Sequence, residues 1–99
     1  MNREQYLLTC LMEECAEVQK ACSKAIRFGL NDDDNGRKST NKEIINDELI
    51  DLRSVVIMLQ QEGCLAIPSW QQSKIMGQAK ADKVDFYYIV SRDKGIVDK

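Results

Sequence analysis

The sequence contains no histidine, and its four cysteines form no C-x-x-C pair. Zinc sites of the common kind need histidine or closely spaced cysteines, so both absences argue against one. The lack of histidine also excludes the Glu-x-x-His motif of ferritin-like bundles and removes the commonest general base. Any catalysis must therefore depend on other groups. We expect the cysteines to be reduced and partly buried; they are Cys10, Cys15, Cys22 and Cys64.

Strong net charge and long apolar runs are missing as well. The net charge is −2 over 99 residues, which gives no basic field to attract nucleic acid or an anionic membrane. No apolar run approaches the length of a membrane span, and the charged residues at positions 1–5 do not fit a signal peptide. We therefore expect a single cytoplasmic domain, residues 1–99, with no nucleic-acid or membrane partner.

Helical periodicity predicts an all-α fold. The first helix is predicted from about Glu4 to Phe28, and Gly29 provides its C-terminal stop. Its inward stripe is predicted to be Leu8, Leu11, Cys15, Val18, Cys22 and Ala25. The polar residues 31–40 that follow are predicted to form a mobile surface loop, and a lid over a ligand is one functional interpretation.

The second helix is predicted to begin at Thr40 or Asn41 and to end near Gly63. A third helical stretch, with a capping box from Ser69 to Gln72, is predicted to run to about residue 92 with an interruption near Gly77. The inward stripe of the second helix is predicted to be Ile44, Glu48, Asp51, Val55 and Leu59.

The second helix is apolar on every side from Val55 to Leu59. A helix on the surface of a monomer would show polar residues on its outer face, so we expect a second copy of the chain to cover this segment. The predicted fold is therefore a helical hairpin plus a third helix, assembled into an oligomeric four-helix-type bundle, as a homodimer or homotetramer.

Two carboxylate pairs have the same helical spacing, Glu14-x-x-Glu17 and Glu48-x-x-Asp51. Each pair projects from one face of its helix, and an antiparallel hairpin would set the pairs opposite each other. Four gathered carboxylates repel one another, and a divalent metal with oxygen ligands would relieve that repulsion. The alternative is that the acids of the first helix are solvated and paired with Lys20 and Lys24. That alternative is weaker for the second pair, which lies in an apolar stripe.

These residues carry a resemblance. Glu13-Glu14-Cys15-Ala16-Glu17, followed by Glu48-Leu49-Ile50-Asp51, resembles the E-E-x-x-E…E-x-x-D signature of the MazG-like all-α nucleoside triphosphate pyrophosphohydrolases, of the small phage and bacterial type. Residues 23–29 and 80–84, with Tyr88, are similar to further segments of that family. The spacing between the two acidic halves is longer than the family pattern, which affects the loop and not the ligands.

The resemblance implies a hydrolase that cleaves a nucleoside triphosphate between its α and β phosphates, in sanitation or remodelling of the nucleotide pool. It implies Mg²⁺, with Mn²⁺ as the alternative ion, and the cytoplasm (the host cytoplasm for a phage protein) as location. The implied metal ligands are Glu14, Glu17, Glu48 and Asp51, and the catalytic residues are these four and Glu13. The general base stays open between Glu13 and Glu17.

The implied substrate-binding residues are Lys24, Arg27, Phe28, Lys80 and Lys83. Lysine and arginine would pair with phosphate oxygens, and Phe28 or Trp70 could stack on a base, although such aromatics more often pack in a core. The alternative function is a non-catalytic helical interaction or regulatory module. Dependence on Mg²⁺ would distinguish the enzyme from that module.

Overall fold

The computed structural model describes residues 1–98, without the side chain of Trp70. Every regular element in that range is a helix, which confirms the predicted all-α class. The helices are α1 (Arg3–Phe28), α2 (Asn41–Gln61), α3 (Trp70–Met76) and α4 (Gln78–Asp93). Only Gly77 separates α3 from α4, where an interruption was predicted.

Side-chain caps explain where the helices begin. Ser69 and Gln72 form the predicted capping box of α3. Thr40, and not Asn41, is the N-cap of α2, and its box partner is Glu43. The first helix has a capping box that was not predicted, with the Asn2 side chain accepting from the backbone of Gln5. At its other end Gly29 has φ 96°, as the predicted stop requires.

The chain divides into two compact units. The first unit, Met1–Ala66, is the hairpin of α1 and α2, and the second unit begins at Ile67 and contains α3 and α4. The hairpin is antiparallel, since the Arg3 guanidinium at the start of α1 contacts the Glu62 carboxylate beyond the end of α2 at 2.7 Å. The grouping of both units into one domain stays a prediction.

The predicted inward stripe of α1 is wrong by one position at two places. Leu7 is buried where Leu8 was predicted, and Leu8 is 41% exposed. One turn beyond Leu11, Glu14 is half-buried and Cys15 is exposed, so Cys15 also contradicts the expectation that every cysteine is partly buried. Two adjacent leucines left the sequence pattern unable to choose the facing residue. The buried face of α1 therefore includes Leu7 and Glu14, so that Glu14 faces α2.

The stripe predicted for α2 is largely confirmed, but its buried part is small. Leu59 is fully buried, and Ile44, Glu48 and Val55 are half-buried, whereas Asp51 is exposed. The buried hydrophobic side chains among residues 1–98, apart from Trp70, are Leu7, Ala21 and Leu59. The assembly of the hairpin with a second copy stays a prediction.

The connection between α1 and α2 is held by hydrogen bonds at several points. Arg37 donates from Nε to the Ser39 carbonyl at 2.7 Å and from Nη2 to Asn41 Oδ1 at 3.0 Å. Asn41 is only 3% exposed, and its Nδ2 donates to the Gly29 carbonyl at 2.9 Å. Its backbone N–H donates to the Asp32 carbonyl at 2.9 Å. Arg37 and Asn41 thus fasten the two ends of the loop, and its mobility stays a prediction.

Large apolar side chains remain at the surface of the hairpin. Ile50 is 62% exposed, and within the apolar segment of α2 Ile57 is 42% and Met58 is 38% exposed. The predicted partner copy is the surface that would cover them. Within residues 1–98 no helix combines the length and the apolar character needed to cross a bilayer.

Candidate metal centre and adjoining cleft

Three of the four predicted metal ligands converge across the hairpin. Glu14 of α1 and Glu48 and Asp51 of α2 each offer a carboxylate oxygen, and these oxygens lie within 4.8 Å of one another. We call these three residues the acid cluster. Glu48 and Asp51 are one helical turn apart, and the antiparallel α1 brings Glu14 opposite them. Glu14 and Glu48 are half-buried and Asp51 is exposed.

Glu17, the fourth predicted ligand, lies next to the acid cluster and not within it. It lines a cavity together with Glu48. Its charge is also close enough to act on the Glu48 carboxyl. Glu13, the other predicted catalytic acid, is exposed on α1 and does not line that cavity.

The electrostatics of the cluster centre on Glu48. Its pKa is raised above the ordinary glutamate value, first because the surrounding protein removes water from the carboxyl. Nearby negative charges raise this pKa further; they belong to Glu17, Asp51, Glu14 and Asp47, in decreasing order of effect. The local environment therefore disfavours the charged form of Glu48.

Within residues 1–98, no lysine or arginine forms an ion pair with the carboxylates of the acid cluster. Arg3–Glu62 is the ion pair found within the described part of the chain, so Lys20 and Lys24 pair with none of the acids of α1. The alternative interpretation, in which surface lysines neutralise these acids, thus lacks its contacts. Gathered oxygen donors without sulfur or imidazole fit a hard divalent cation such as Mg²⁺.

A cleft runs from the acid cluster to the loop between the helices. Its first part, the lysine cavity, has a volume of about 170 Å³ and is lined by Glu17, Lys20, Ala21, Lys24, Asn41, Ile44 and Glu48. Its second part, the loop cavity, has a volume of about 220 Å³ and is lined by Lys24, Phe28, Asp32, Asp34, Asn35, Arg37 and Asn41. Lys24 and Asn41 line both cavities, so the two parts adjoin each other.

Of the predicted substrate-binding residues in the first unit, Lys24 and Phe28 line this cleft and Arg27 does not. The Arg27 guanidinium carbon lies 5.0 Å from the centroid of the Phe28 ring, an arrangement typical of a cation–π contact. Arg27 is therefore engaged beside the cleft and not along it.

The cleft residues that were not predicted as site residues include Lys20, Asn41 and Arg37. Lys20 follows Glu17 by one turn, and Asn41 precedes Ile44 by one turn, so their helical spacing to the acids could have indicated them. The third, Arg37, joins the cleft only through the fold of the loop. Helical periodicity holds no information about such a position.

Lys80 and Lys83 lie in the second unit, on α4. They line a shallow cavity of about 410 Å³ with Val84, Tyr87, Tyr88 and Ser91. Their predicted role with substrate stays a prediction. The stacking role considered for the Trp70 side chain lies outside the described residues.

Comparisons with protein-family models, curated proteins and solved structures found no match to this chain.

Proposed function

We propose that this chain is a Mg²⁺-dependent nucleoside triphosphate pyrophosphohydrolase of the MazG-like kind. It would cleave the α–β phosphoanhydride bond and release a nucleoside monophosphate and pyrophosphate. The observation that carries the proposal is the convergence of Glu14, Glu48 and Asp51 within 4.8 Å at one end of a cleft. Two lysines, Lys20 and Lys24, line the cavity that adjoins this cluster.

The order of charges along the cleft matches a metal-bound polyphosphate. The acid cluster would hold Mg²⁺ by oxygen ligands, and the ammonium groups of Lys20 and Lys24 would bind phosphate oxygens beside it. A bound Mg²⁺ would supply positive charge to the phosphates and lower the pKa of a water molecule. Lys20 thus replaces Arg27 as the second cation on α1 that we assign to the phosphates.

The proton of the attacking water needs an acceptor other than histidine. Glu17 lines the lysine cavity with Glu48 but is not one of the three converging ligands, so its carboxylate is available beside the reacting groups. Glu13 is exposed and lines neither part of the cleft. We therefore assign the general base to Glu17.

The assay is incubation of the purified protein with each common ribo- and deoxyribonucleoside triphosphate, with Mg²⁺ or with EDTA, followed by identification of the products. Monophosphate and pyrophosphate in the Mg²⁺ samples alone would support the proposal. Diphosphate and inorganic phosphate would contradict the bond assignment. A protein that leaves all triphosphates intact would instead fit the interaction module.

The same chain is expected to act as a homodimer or homotetramer. Exposed Ile50, Ile57 and Met58 on α2 offer an apolar surface that a second hairpin would cover. Light scattering at micromolar concentration should report at least twice the chain mass. A stable monomer would contradict the assembly without deciding the chemistry.

A further inference from the structure

The loop cavity has unused hydrogen-bond acceptors. No hydrogen bond or ion pair among the described residues uses the Asp34 carboxylate, whereas the neighbouring Asp33 accepts from the Gly36 N–H at 3.2 Å. Asp32 uses one carboxylate oxygen, Oδ2, to accept from the Asp34 N–H at 3.1 Å, and its other oxygen is unused. Asp32 and Asp34 both line the cavity, so its lining includes uncommitted carboxylate acceptors.

The two cations that line this cavity, Arg37 and Lys24, differ in their contacts. The Arg37 guanidinium is engaged with the Ser39 carbonyl and the Asn41 amide, so it serves the loop. Lys24 has no hydrogen-bond or ion-pair partner within the described chain and lies where the loop cavity meets the lysine cavity. A free anion in the loop cavity would meet two carboxylates, and a metal ion would meet Lys24 and Arg37. The lining thus suits a neutral group rich in N–H donors.

The position of the cavity fits the nucleoside end of the same ligand. Lys24 is seven residues after Glu17, or about 10 Å along α1. Phe28 is one further turn along the helix and also lines the loop cavity. A ligand held by its phosphates near Glu17 and Lys20 would therefore bring a base toward an aromatic side chain on which it can stack.

We propose that the loop cavity binds the base of a guanine nucleotide, with both oxygens of Asp34 accepting hydrogen bonds from the base. This inference rests on the proposed function for the direction in which the nucleotide lies. Among the common bases, guanine has a ring N–H and an amino group side by side, and a carboxylate accepts such a pair bidentately. The amide of Asn35 and the ammonium of Lys24 are the donors available to the guanine carbonyl. Adenine and cytosine lack that adjacent pair of donors.

The test is binding of nucleoside monophosphates in EDTA, where neither the metal nor turnover takes part. Isothermal titration should show GMP bound about tenfold more tightly than IMP, which lacks only the 2-amino group, because one oxygen of the Asp34 carboxylate then has no donor from the base. AMP and CMP should bind no better than IMP. Equal affinities, or no binding of GMP at millimolar concentration, would overturn the proposal.

Two loop variants sharpen the test. Asp34→Asn should bring the affinity for GMP down to that for IMP, since an amide cannot accept two hydrogen bonds from the base in this way. Asp33→Asn is the matched control, because Asp33 does not line the cavity and its amide oxygen can still accept from Gly36. An unchanged preference for GMP in Asp34→Asn would overturn the residue assignment. The wild-type comparison of GMP with IMP does not depend on how either variant folds.

Failure of this inference is distinct from failure of the proposed function. Selective binding of GMP by a protein that hydrolyses no triphosphate would retain the base site and refute the enzyme. Hydrolysis of all triphosphates with equal kcat/KM, together with equal binding of GMP and IMP, would retain the enzyme and refute the guanine site.

Discussion

The two ends of the α1–α2 hairpin bury different kinds of residue. At the open end, Leu7 and Leu59 are the largest fully buried side chains, and the Arg3–Glu62 ion pair joins the helix termini above them. At the loop end, the buried groups are Ala21 and the polar Asn41, with half-buried acids between the two ends. The open end therefore has the composition of a core, and the loop end has the composition of a binding site.

This division separates stability from ligand chemistry. Burial of Leu7 and Leu59 removes apolar surface from water, which favours folding whatever is bound. The acid cluster does the opposite in the metal-free protein, since partial desolvation and like charges raise the pKa of Glu48. Substitutions in the acid cluster and at the open end should therefore have opposite consequences for stability and activity.

The largest effect is expected for Glu48→Gln. The amide keeps the shape of the side chain but is a poorer ligand for a hard cation, so turnover should fall by roughly a hundredfold or more. Removal of one negative charge from the cluster should leave the melting temperature without Mg²⁺ equal to that of the parent or higher. The measurement pairs pyrophosphate release with melting curves in Mg²⁺ and in EDTA.

Asp47→Asn is the control for that variant. Asp47 is exposed, adjoins Glu48 in the sequence and contributes to its raised pKa, but it is not one of the three converging ligands. Loss of its charge should leave turnover nearly unchanged. A Glu48→Gln protein that is destabilised and fully active would refute the metal assignment, since that pattern belongs to a structural ion-pair partner.

At the open end, a substitution is expected to lower stability and to leave the dependence on Mg²⁺ intact. Leu59 is 0% exposed, and Leu59→Ala should lower the free energy of unfolding by about 2–5 kcal/mol through lost burial and an unfilled cavity. The folded fraction should keep its Mg²⁺ dependence, because the acid cluster lies elsewhere on the hairpin. Urea unfolding followed by circular dichroism gives the stability. A loss below about 0.5 kcal/mol would show that the core of the hairpin lies elsewhere.

Some features of the fold could be predicted from the sequence and others could not. Helix limits, the Gly29 stop and the Ser69 capping box follow from local rules, and the structure confirms them. The inward face of α1 was misassigned because Leu7 and Leu8 fit the periodicity equally well. The choice between them depends on packing against α2, which a single helix pattern does not contain.

The site shows the same limit. Two carboxylate pairs at equal spacing were enough to predict that acids meet across the hairpin, but not that Glu17 would lie beside the cluster. Lys20 and Asn41 were recognisable by their spacing but had equally good explanations as an ion-pair partner and a helix cap. Arg37 depends on hydrogen bonds within the loop, and no regular period describes those.

A smaller effect is expected from pH on the stability of the metal-free protein. The pKa of Glu48 is raised in the folded state, so at any pH above that raised pKa the ionised carboxylate opposes folding. This unfavourable contribution to the free energy of folding should disappear as the pH falls through the folded pKa toward the ordinary value of 4.5. The difference in melting temperature between Glu48→Gln and the parent should therefore narrow over that range.

A fall in pH should relieve the destabilisation of the metal-free protein but weaken the binding of Mg²⁺. Protons and the metal compete for the same carboxylate, so the affinity for Mg²⁺ should decrease as Glu48 becomes protonated, by at most about tenfold per pH unit for one proton. Titration of Mg²⁺ at pH 7 and at pH 4.5, the ordinary glutamate pKa, measures this change. An affinity that is independent of pH would argue that Glu48 is not a ligand.

The smallest effect is expected for hydrogen exchange in the loop when a ligand binds. Its backbone is already held in the free protein, where the Arg37 N–H donates to the Asp33 carbonyl at 2.7 Å and the Gly36 N–H to the Asp33 side chain. Binding of a non-hydrolysable triphosphate analogue with Mg²⁺ should therefore slow hydrogen exchange at Gly36 and Arg37 by about tenfold or less. The Cys64 N–H, which donates to the Leu59 carbonyl at the open end, is the internal reference and should not change. Equal exchange with and without the analogue at both ends would show that the loop does not close on the ligand, because protection confined to the loop is what a lid requires.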